Sequence, residues 1–537
     1  MEIDTNTERL PPEVEKGNVE YKRYLCNLTN VRKEHLATQM NWRLNEGFLT
    51  IGRQEAVYMI GVDDDGTIPS ISAEQITESI QSIKQISMLC HAQIKSTEII
   101  PNKHGLIARV TVERSQIATC AEGSVFILGK KGAGKTTLIS VIKNGTVDDG
   151  KGGLRDRLMK HQHEVKAGET SSIGYHLIGF SEEELINCRI RSVPWKTIVQ
   201  RSDRVITLID LPGNASYLNT TLFALMSHEV NFSLVLIDVM DDIRDRMNCY
   251  FLDWCIQFNR PCGIVLTKVD QVDVATLKHK FAQLNEFLAG RYGRSIRIIN
   301  KEKDVEQIPV FLRSTKIPVF YVSNVTRTGV NLVINTISNL KPVDYGAVSD
   351  DDDKEFVINA TIHNSEIGWI LSGRVTEGVI NLKDRLILGQ VKGKYLDVVV
   401  QSIHHKQIPV SRLVKGSHGS LGIRLCSNSG KINITKKASL ISTNLFTNFV
   451  RKFILVVEKT HDDWIKIDSQ YNLYTGNQID PFVVKYKQTT PRHTIIMGRF
   501  SISRTFRYIK NASPAIIKNH QQLTFGYIFK LHQVIGY

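Results

Sequence analysis

A glycine-rich loop between an apolar run and a helix-forming segment constrains this 537-residue chain more than any other feature. The run Val125–Leu128 leads into Gly129-Lys-Lys-Gly-Ala-Gly134-Lys135-Thr136, which fits the pattern GxxxxGK[ST]. Glycines let backbone amides wrap around phosphates, and the N-terminus of the following helix adds positive charge. We therefore expect Lys135 to reach the β- and γ-phosphates of a nucleotide and Thr136 to ligate Mg²⁺. The predicted phosphate-binding residues are Gly129, Lys130, Lys131, Gly132, Ala133, Gly134, Lys135, Thr136 and Thr137.

A second motif follows the apolar strand predicted at Val205–Ile209. The residues Asp210-Leu-Pro-Gly213 match DxxG, in which the carboxylate holds Mg²⁺ through water and the glycine amide meets the γ-phosphate. The predicted metal site therefore includes Asp210 together with Thr136.

Two further segments select the base. Thr267-Lys268-Val269-Asp270 ends a predicted apolar strand and matches [NT]KxD, whose carboxylate accepts hydrogen bonds from N1–H and the exocyclic amine of guanine. Adenine lacks that donor pair, so a polar pocket of this kind discriminates strongly. Ser323-Asn324-Val325 follows the strand predicted at Val319–Val322 and would complete the pocket from its backbone. The ordered motifs predict GTP and GDP, with Mg²⁺, as the ligands.

The pattern of helices and strands predicts several domains, as the length also does at roughly 150 residues per domain. Strands and helices alternate around the motifs, which is typical of a mostly parallel sheet with helices on both faces. Short alternating strands follow, without helical periodicity, and favour antiparallel β-barrels. The expected segments are a disordered leader (1–18), an N-terminal α/β module (19–120), a GTP-binding α/β domain (121–343), an acidic linker (344–355) and two β-barrels (356–445 and 446–537).

Charge and cysteine usage indicate the partners and the compartment. The net charge is +14, and no acidic residue follows Asp480. A basic surface there would suit a polyanion such as RNA, with ordinary solvated surface as the alternative. The eight cysteines form no CxxC pair, which favours free, mostly buried thiols in the cytoplasm. No stretch approaches the ~20 apolar residues that span a bilayer, so we expect no membrane contact.

With these motifs located, the chain resembles the translational GTPases, the class of elongation factor Tu and eukaryotic elongation factor 1 alpha. It is similar in particular to the GTP-binding protein 1 and 2 family, over residue 20 to the C-terminus. The segments that carry this similarity are Asn144–Gly150, Lys160–Glu164, Gly168–Gly174, Met40–Glu46, Glu55–Val62, Gly373–Ile380 and Ser402–His404. The resemblance implies that Thr170 is the switch I threonine, which closes on Mg²⁺ and the γ-phosphate. It also implies association with ribosomes, tRNA or other RNA.

Three positions depart from the family pattern. Asn214 stands after DxPG, where the family has a histidine that positions the attacking water, so Asn214, Gly213 and Thr170 are the candidate catalytic residues. Gly132 replaces an aspartate that helps to hold a monovalent cation, and Glu169 replaces an arginine before the switch threonine. These changes leave nucleotide binding intact and predict weak hydrolysis. The expected function is that of a monomeric, elongation-factor-like GTPase acting with ribosomes or RNA; the alternative is a non-hydrolysing GTP-binding scaffold.

Overall fold

The computed structural model describes most of the chain. The chain forms two compact units, the first up to residue 119 and the second from residue 120. The described residues are 9–14, 16–51, 53–90, 92–103, 105–113, 121–159, 161–181, 184–186, 193–341, 348–350, 352–364, 368–391, 394–426, 434, 438–442, 449–458, 463–476, 478–491, 493–505, 513–519 and 522–533.

The first unit is an α+β module with one four-stranded sheet, in the order β1-β2-β4-β3. Its elements are β1 (Val19–Lys22), α1 (Asn30–Ile51), β2 (Glu55–Ile60), α2 (Ala73–Leu89), β3 (Gln93–Asn102) and β4 (Gly105–Glu113). Ser72 caps α2 in a capping box with Gln75, which fixes where the helix begins. The apolar faces of α1, α2 and the sheet form one core.

The predicted disordered leader is wrong for the described part of residues 9–18. Leu10 is 5% exposed, and its backbone N–H donates to the Gly66 carbonyl at 2.8 Å. The guanidinium of Arg43 donates to the carbonyls of Val14 and Gly17, each at 3.0 Å, and pairs with the buried carboxylate of Glu20 at 2.5 Å. The segment is polar, and for that reason its composition suggested disorder. It is nevertheless ordered, because its backbone carbonyls accept the hydrogen bonds that the buried guanidinium of Arg43 must make.

The second unit begins with an α/β domain built on an eight-stranded sheet in the order β11-β12-β10-β9-β5-β8-β6-β7. Strands β5 and β8–β12 pair in parallel, whereas β6 and β7 pair antiparallel at the edge. Apolar clusters cover both faces of the sheet, as expected for a parallel sheet flanked by helices. Its strands are β5 (Ala121–Gly129), β6 (Gly174–Ser181), β7 (Glu184–Leu185), β8 (Arg204–Asp210), β9 (Phe232–Asp238), β10 (Cys262–Thr267), β11 (Ser295–Ile298) and β12 (Lys316–Val322).

The helices of this domain are α3 (Lys135–Asn144), α4 (Gly153–Asp156), α5 (Gln162–Ala167), α6 (Trp195–Gln200), α7 (Leu218–Ser227), α8 (Arg246–Gln257), α9 (Val274–Tyr292), α10 (Glu302–Glu306), α11 (Ile308–Leu312) and α12 (Val330–Ser338). Short 3₁₀ turns lie at Ala215–Tyr217 and Val269–Gln271. All nucleotide-site motifs lie at the carboxyl ends of β5, β8, β10 and β12, on one edge of the sheet. Ligands bind at this edge in open α/β sheets.

Two antiparallel barrels follow. The first holds β13 (Glu355–Asn364), β14 (Gly368–Glu377), β15 (Val379–Asn381), β16 (Arg385–Val391), β17 (Lys394–His405), β18 (Ile408–Pro409), β19 (Arg412–Val414), β20 (His418–Leu425) and β21 (Ser439–Ile441), and the β16–β17 pairing closes its main sheet. The second holds β22 (Phe449–Glu458), β23 (Gln470–Thr475), β24 (Gln478–Thr489), β25 (His493–Thr505), β26 (Ser513–Lys518) and β27 (Leu523–Gln533), closed in the order β22-β25-β24-β23-β26-β27.

Both barrels pack against the α/β domain within the second unit. His228, directly after α7, accepts a hydrogen bond from Asn359 of the first barrel at 3.1 Å. Tyr474 and Tyr527 of the second barrel donate to Asn219 and to the Gln257 carbonyl, each at 2.9 Å. Helix α7, which follows the DxxG motif, therefore contacts the second barrel through Asn219, and the residue after the helix, His228, contacts the first barrel.

Cysteine placement agrees in part with the sequence-based expectation. Among the described cysteines, all free, Cys90, Cys255 and Cys262 are buried, whereas Cys426 is exposed. Cys120 and Cys188 lie outside the described residues. In the described part of the chain, no helix is long and apolar enough to cross a membrane.

Candidate nucleotide site

The phosphate-binding loop connects β5, at the centre of the sheet, to α3. Gly129 and Gly134 have φ angles of +145° and +79°, a left-handed backbone that glycine adopts without strain. The ammonium of Lys135 donates to the carbonyls of Gly129 at 2.8 Å and Lys130 at 3.0 Å. Burial lowers the pKa of Lys135 to about 8, against the opposing charge of Asp210. Lys135 therefore lies inside its own loop, where an anionic ligand would restore its full positive charge.

The three predicted metal-ligating residues meet at one point beside this loop. Thr136 Oγ1 donates to Asp210 Oδ2 at 2.6 Å and lies 3.0 Å from Thr170 Oγ1, which is 3.4 Å from the same carboxylate oxygen. Burial raises the pKa of Asp210, while Lys135 and the two hydroxyls act against that rise. Two hydroxyls and a carboxylate form a set of hard oxygen donors that fits Mg²⁺.

One carboxylate oxygen at this point is left without a partner. Asp210 Oδ1 is buried and has no hydrogen-bond partner among the residues that the structure describes. Buried polar atoms are almost always satisfied, so an orphaned oxygen beside two hydroxyls indicates a missing cationic or hydrogen-bonding group. The residues present thus fit a metal ion at this position.

Switch I is anchored by Glu164, whose importance the sequence did not reveal. Its Oε1 accepts from the backbone N–H groups of Ser171 at 2.8 Å and Ser172 at 3.1 Å, and from their hydroxyls at 2.7 and 3.1 Å. Burial alone would raise the pKa of Glu164, but these hydrogen bonds outweigh it and lower the pKa to about 2. Glu164 is also the third residue of the first turn of α5, where its Oε2 accepts from the His161 backbone N–H at 3.2 Å.

The candidate catalytic residue Asn214 lies at the start of a 3₁₀ turn with both polar atoms engaged. Its Oδ1 accepts from the Ser216 backbone N–H at 3.0 Å, and its Nδ2 donates to Glu169 at 2.9 Å. Gly213, beside it, packs so closely on the phosphate-binding loop that a Cβ atom would collide with the Gly129 carbonyl and the Lys135 ammonium. Only glycine fits there while the loop keeps this path.

The base-pocket motifs are fastened to the phosphate-binding loop. Thr267 Oγ1 donates to the Ala133 carbonyl at 3.0 Å, and Lys268, with a φ of +60°, pairs with Asp238 at 2.6 Å. This turn leaves Asp270 exposed at the edge of the sheet, where a ligand can reach it.

The second base-pocket segment lies against the other side of the loop. Ser323 Oγ accepts from the N–H groups of Val325 at 3.2 Å and Thr326 at 3.1 Å, and Asn324 Nδ2 donates to the Gly134 carbonyl at 3.4 Å. The structure therefore brings the four predicted motifs of the nucleotide site together at one edge of the sheet.

Comparison with known proteins agrees with this architecture. Residues 123–343 match the family described as "Elongation factor Tu GTP binding domain". The chain is 27% identical to GTP-binding protein 2 of Mus musculus over 97% of its own length and 86% of that protein.

Two solved structures share the fold. The Ski7 GTPase-like domain of S. cerevisiae, bound to GDP and inorganic phosphate, has a TM-score of 0.58 at 12% identity, over 77% of this chain and 98% of that one. Translation elongation factor SelB from Methanococcus maripaludis, in complex with the GTP analogue GppNHp, has a TM-score of 0.53 at 15% identity. The match covers 77% of this chain and 80% of that one.

Proposed function

We propose that this chain is a GTP-binding, elongation-factor-like protein that acts with ribosomes, tRNA or another RNA and hydrolyses GTP slowly. Residues 123–343 match the elongation factor Tu GTP-binding domain, and GTP-binding protein 2 is 27% identical over 97% of the chain. The observation that carries the proposal is the meeting of Thr136, Thr170 and Asp210 beside the phosphate-binding loop. These residues come from three separate segments, and a phosphate-bound metal is the ligand that they share.

Each part of the site has a role in this proposal. The amides of the loop and the Lys135 ammonium bind the phosphates, and Asp270 reads the guanine edge. Thr136, Thr170 and Asp210 hold Mg²⁺, which when bound neutralises charge on the β- and γ-phosphates. Gly213 lets the DxxG segment and the turn after it, residues 210–217, approach the phosphates without a side chain in the way. We call residues 210–217 switch II.

Slow hydrolysis is inferred from the environment of Asn214. Phosphoryl transfer depends on positioning and charge stabilisation, and the attacking water must be held in line with the γ-phosphate. The Asn214 amide is bonded to Glu169 and its oxygen to Ser216. It is neutral, so it supplies no imidazolium-like stabilisation. The same engagement favours the alternative function, a GTP-binding scaffold that does not hydrolyse.

Partners and compartment follow as further proposals. The neighbours named translation elongation factors support action on ribosomes, and the acid-free C-terminal segment supports RNA contact. We expect a cytoplasmic monomer.

Single-turnover hydrolysis measured together with ribosome co-sedimentation tests the proposal. We expect the GTP-bound protein to co-sediment with ribosomes and to release phosphate slowly, with Asp210→Asn giving the background rate. Co-sedimentation with no phosphate release above that background would support the scaffold. Failure to bind ribosomes, tRNA or other RNA in any nucleotide state would contradict the proposed partner class.

A further inference from the structure

Residues from three different loops meet on one side of the phosphate-binding loop. Glu169 Oε2 accepts from Lys131 Nζ at 2.7 Å and from Asn214 Nδ2 at 2.9 Å. Lys131 belongs to the phosphate-binding loop, Glu169 to switch I and Asn214 to switch II. The Glu169 side chain is 16% exposed, and the Lys131 ion pair lowers its pKa first, with Asn214 adding to the effect. We call Lys131, Glu169 and Asn214 the clasp.

A backbone contact reinforces the clasp. The Lys131 N–H donates to the Gly213 carbonyl at 3.1 Å, so the residue that pairs with switch I through its side chain also binds switch II through its main chain. Two of the three loops are thereby fixed to the third by independent contacts. Opening switch I requires the Glu169 contacts to break.

Thr170 lies between the clasp and a second fixed point. Glu169 precedes it, and Ser171 and Ser172 follow it, both hydrogen-bonded to the buried carboxylate of Glu164. Its hydroxyl already lies 3.0 Å from that of Thr136. These contacts join groups of the protein to one another.

We propose that the clasp and Glu164 hold switch I closed whether or not a γ-phosphate is present. This inference rests on the proposed nucleotide site. In a loop ordered by γ-phosphate contacts, hydrolysis removes the contacts and the loop opens. Here the closing contacts survive hydrolysis, so GTP and GDP differ little in the closed population that they support. Glu169 is a positioning residue in this arrangement, since it acts through Lys131 and Asn214.

Hydrogen exchange of the full chain, with no nucleotide, with GDP and Mg²⁺, and with a non-hydrolysable GTP analogue and Mg²⁺, tests this. We expect the amides of 169–173 to exchange within about twofold of one another in all three states. Exchange at least about tenfold faster in the nucleotide-free and GDP states than with the analogue would overturn the proposal, because the γ-phosphate would then be what closes the loop.

Single substitutions distinguish loss of the clasp contacts from a general destabilisation of the domain. Glu169→Gln should speed exchange of 169–173 by about threefold to tenfold without nucleotide and with GDP, and leave the analogue-bound state near wild type. Lys131→Gln should do the same, and the double variant should add little because the two residues act on each other. Arg297→Gln is the control: the Arg297–Asp304 pair has side-chain exposures of 46% and 15%, close to the 52% and 16% of Lys131–Glu169. Unchanged exchange in both clasp variants would overturn the role of the clasp.

The nucleotide-free arm keeps this inference separate from the proposed function. If no nucleotide protects the amides of 129–136, the proposed nucleotide binding fails, but the comparison of wild type with Glu169→Gln still reports on the clasp. If nucleotides protect those amides and 169–173 opens without a γ-phosphate, the clasp fails and the nucleotide site stands.

Discussion

Asn214 makes two hydrogen bonds that occupy both of its polar atoms. Neither atom is then left to position the attacking water, the role expected at this position. Its oxygen caps a 3₁₀ turn and its amide binds Glu169. A histidine in the same place would present a ring nitrogen further from the backbone and could carry charge. These contacts agree with the weak hydrolysis expected from the sequence, which stays a prediction.

We predict that Asn214→His raises the single-turnover rate of GTP hydrolysis on ribosomes. One well-placed stabilising group is worth roughly 10²- to 10³-fold in rate, and recovery is expected to be partial because Glu169 remains in place. Adding Gly132→Asp should raise the rate further, since groups in one site act as a unit. Asn339→His, at the exposed C-terminus of α12, is the control. No gain from either substitution, or a wild-type rate equal to that of ordinary translational GTPases, would refute this explanation.

At the residue scale, the sequence allowed prediction of the site residues that lie in contiguous motifs. Glycines at positions of positive φ, and the residues that end buried strands, are local features that can be read in order. Glu164 was not predicted because its four switch I hydrogen bonds come from Ser171 and Ser172 across a turn. The pairing of Glu169 with Asn214, 45 positions apart, depends on tertiary structure in the same way.

Helix α7 is the element that links the site to the rest of the second unit. It begins shortly after Asn214 and ends at Ser227. The next residue is His228, whose Nε2 lies 2.8 Å from the Tyr175 hydroxyl and 3.1 Å from Asn359 Nδ2. The His228 ring also stacks on His418 of the first barrel. Burial lowers the pKa of His228 to about 4, with the backbone contact to Ala224 opposing and the charge of Arg374 adding to the fall.

This environment predicts acid sensitivity of the joint between the α/β domain and the first barrel. Above pH 6.5, His228 is neutral in both the folded and unfolded states and has no effect. As the pH falls from 6.5 towards 4, His228 binds a proton in the unfolded chain but stays neutral in the folded chain. This difference lowers the free energy of unfolding by on the order of 3 kcal/mol in total. His228→Gln should reduce the fall in the urea midpoint over this range, whereas the exposed His279→Gln should not. Equal acid sensitivity in both variants would contradict the assignment.

Long buried strands and amphipathic helices were predictable as elements, because apolar periodicity marks them. The strands predicted at Val205–Ile209 and Val319–Val322 lie within β8 and β12. The four-residue β1 was missed, since a strand that short carries almost no periodic signal. Helix α1 is stabilised by the tertiary packing of Met40 and Leu44 in the core of the first unit.

At the scale of the whole molecule, some of the cations of the C-terminal barrel already have partners within the protein. Lys485 pairs with Asp468 at 2.7 Å, and Lys487 donates to the Ile465 carbonyl at 3.2 Å. Arg499 is exposed on β25 and is the register partner of the exposed Lys452 on β22, which adds a cation that the sequence run did not include. Two exposed cations therefore lie side by side in the described part of this barrel.

We predict that binding to tRNA or rRNA weakens with salt by roughly 0.7 to 0.9 log units per log unit of salt for each phosphate contacted. Alanine at Arg499, Arg504 and Arg507 should flatten that slope by up to about 2 units; the position of Arg507 lies outside the described residues. Alanine at the exposed Arg201, Arg412 and Arg424 removes the same charge elsewhere and should leave the slope unchanged. A wild-type slope near zero would favour the protein scaffold.

Nucleotide selectivity measured by isothermal titration calorimetry tests the central claim, a guanine-nucleotide site, most directly. Wild type should bind GTP at least about 100-fold more tightly than ATP, and Asp270→Asn should lose about 100-fold in GTP affinity while gaining affinity for xanthosine triphosphate, because an amide complements the changed ring edge. Asp273→Asn, three residues on, keeps its capping role on α9 and should bind GTP as wild type does. Equal binding of ATP and GTP by wild type, or unchanged GTP affinity in Asp270→Asn, would contradict the account.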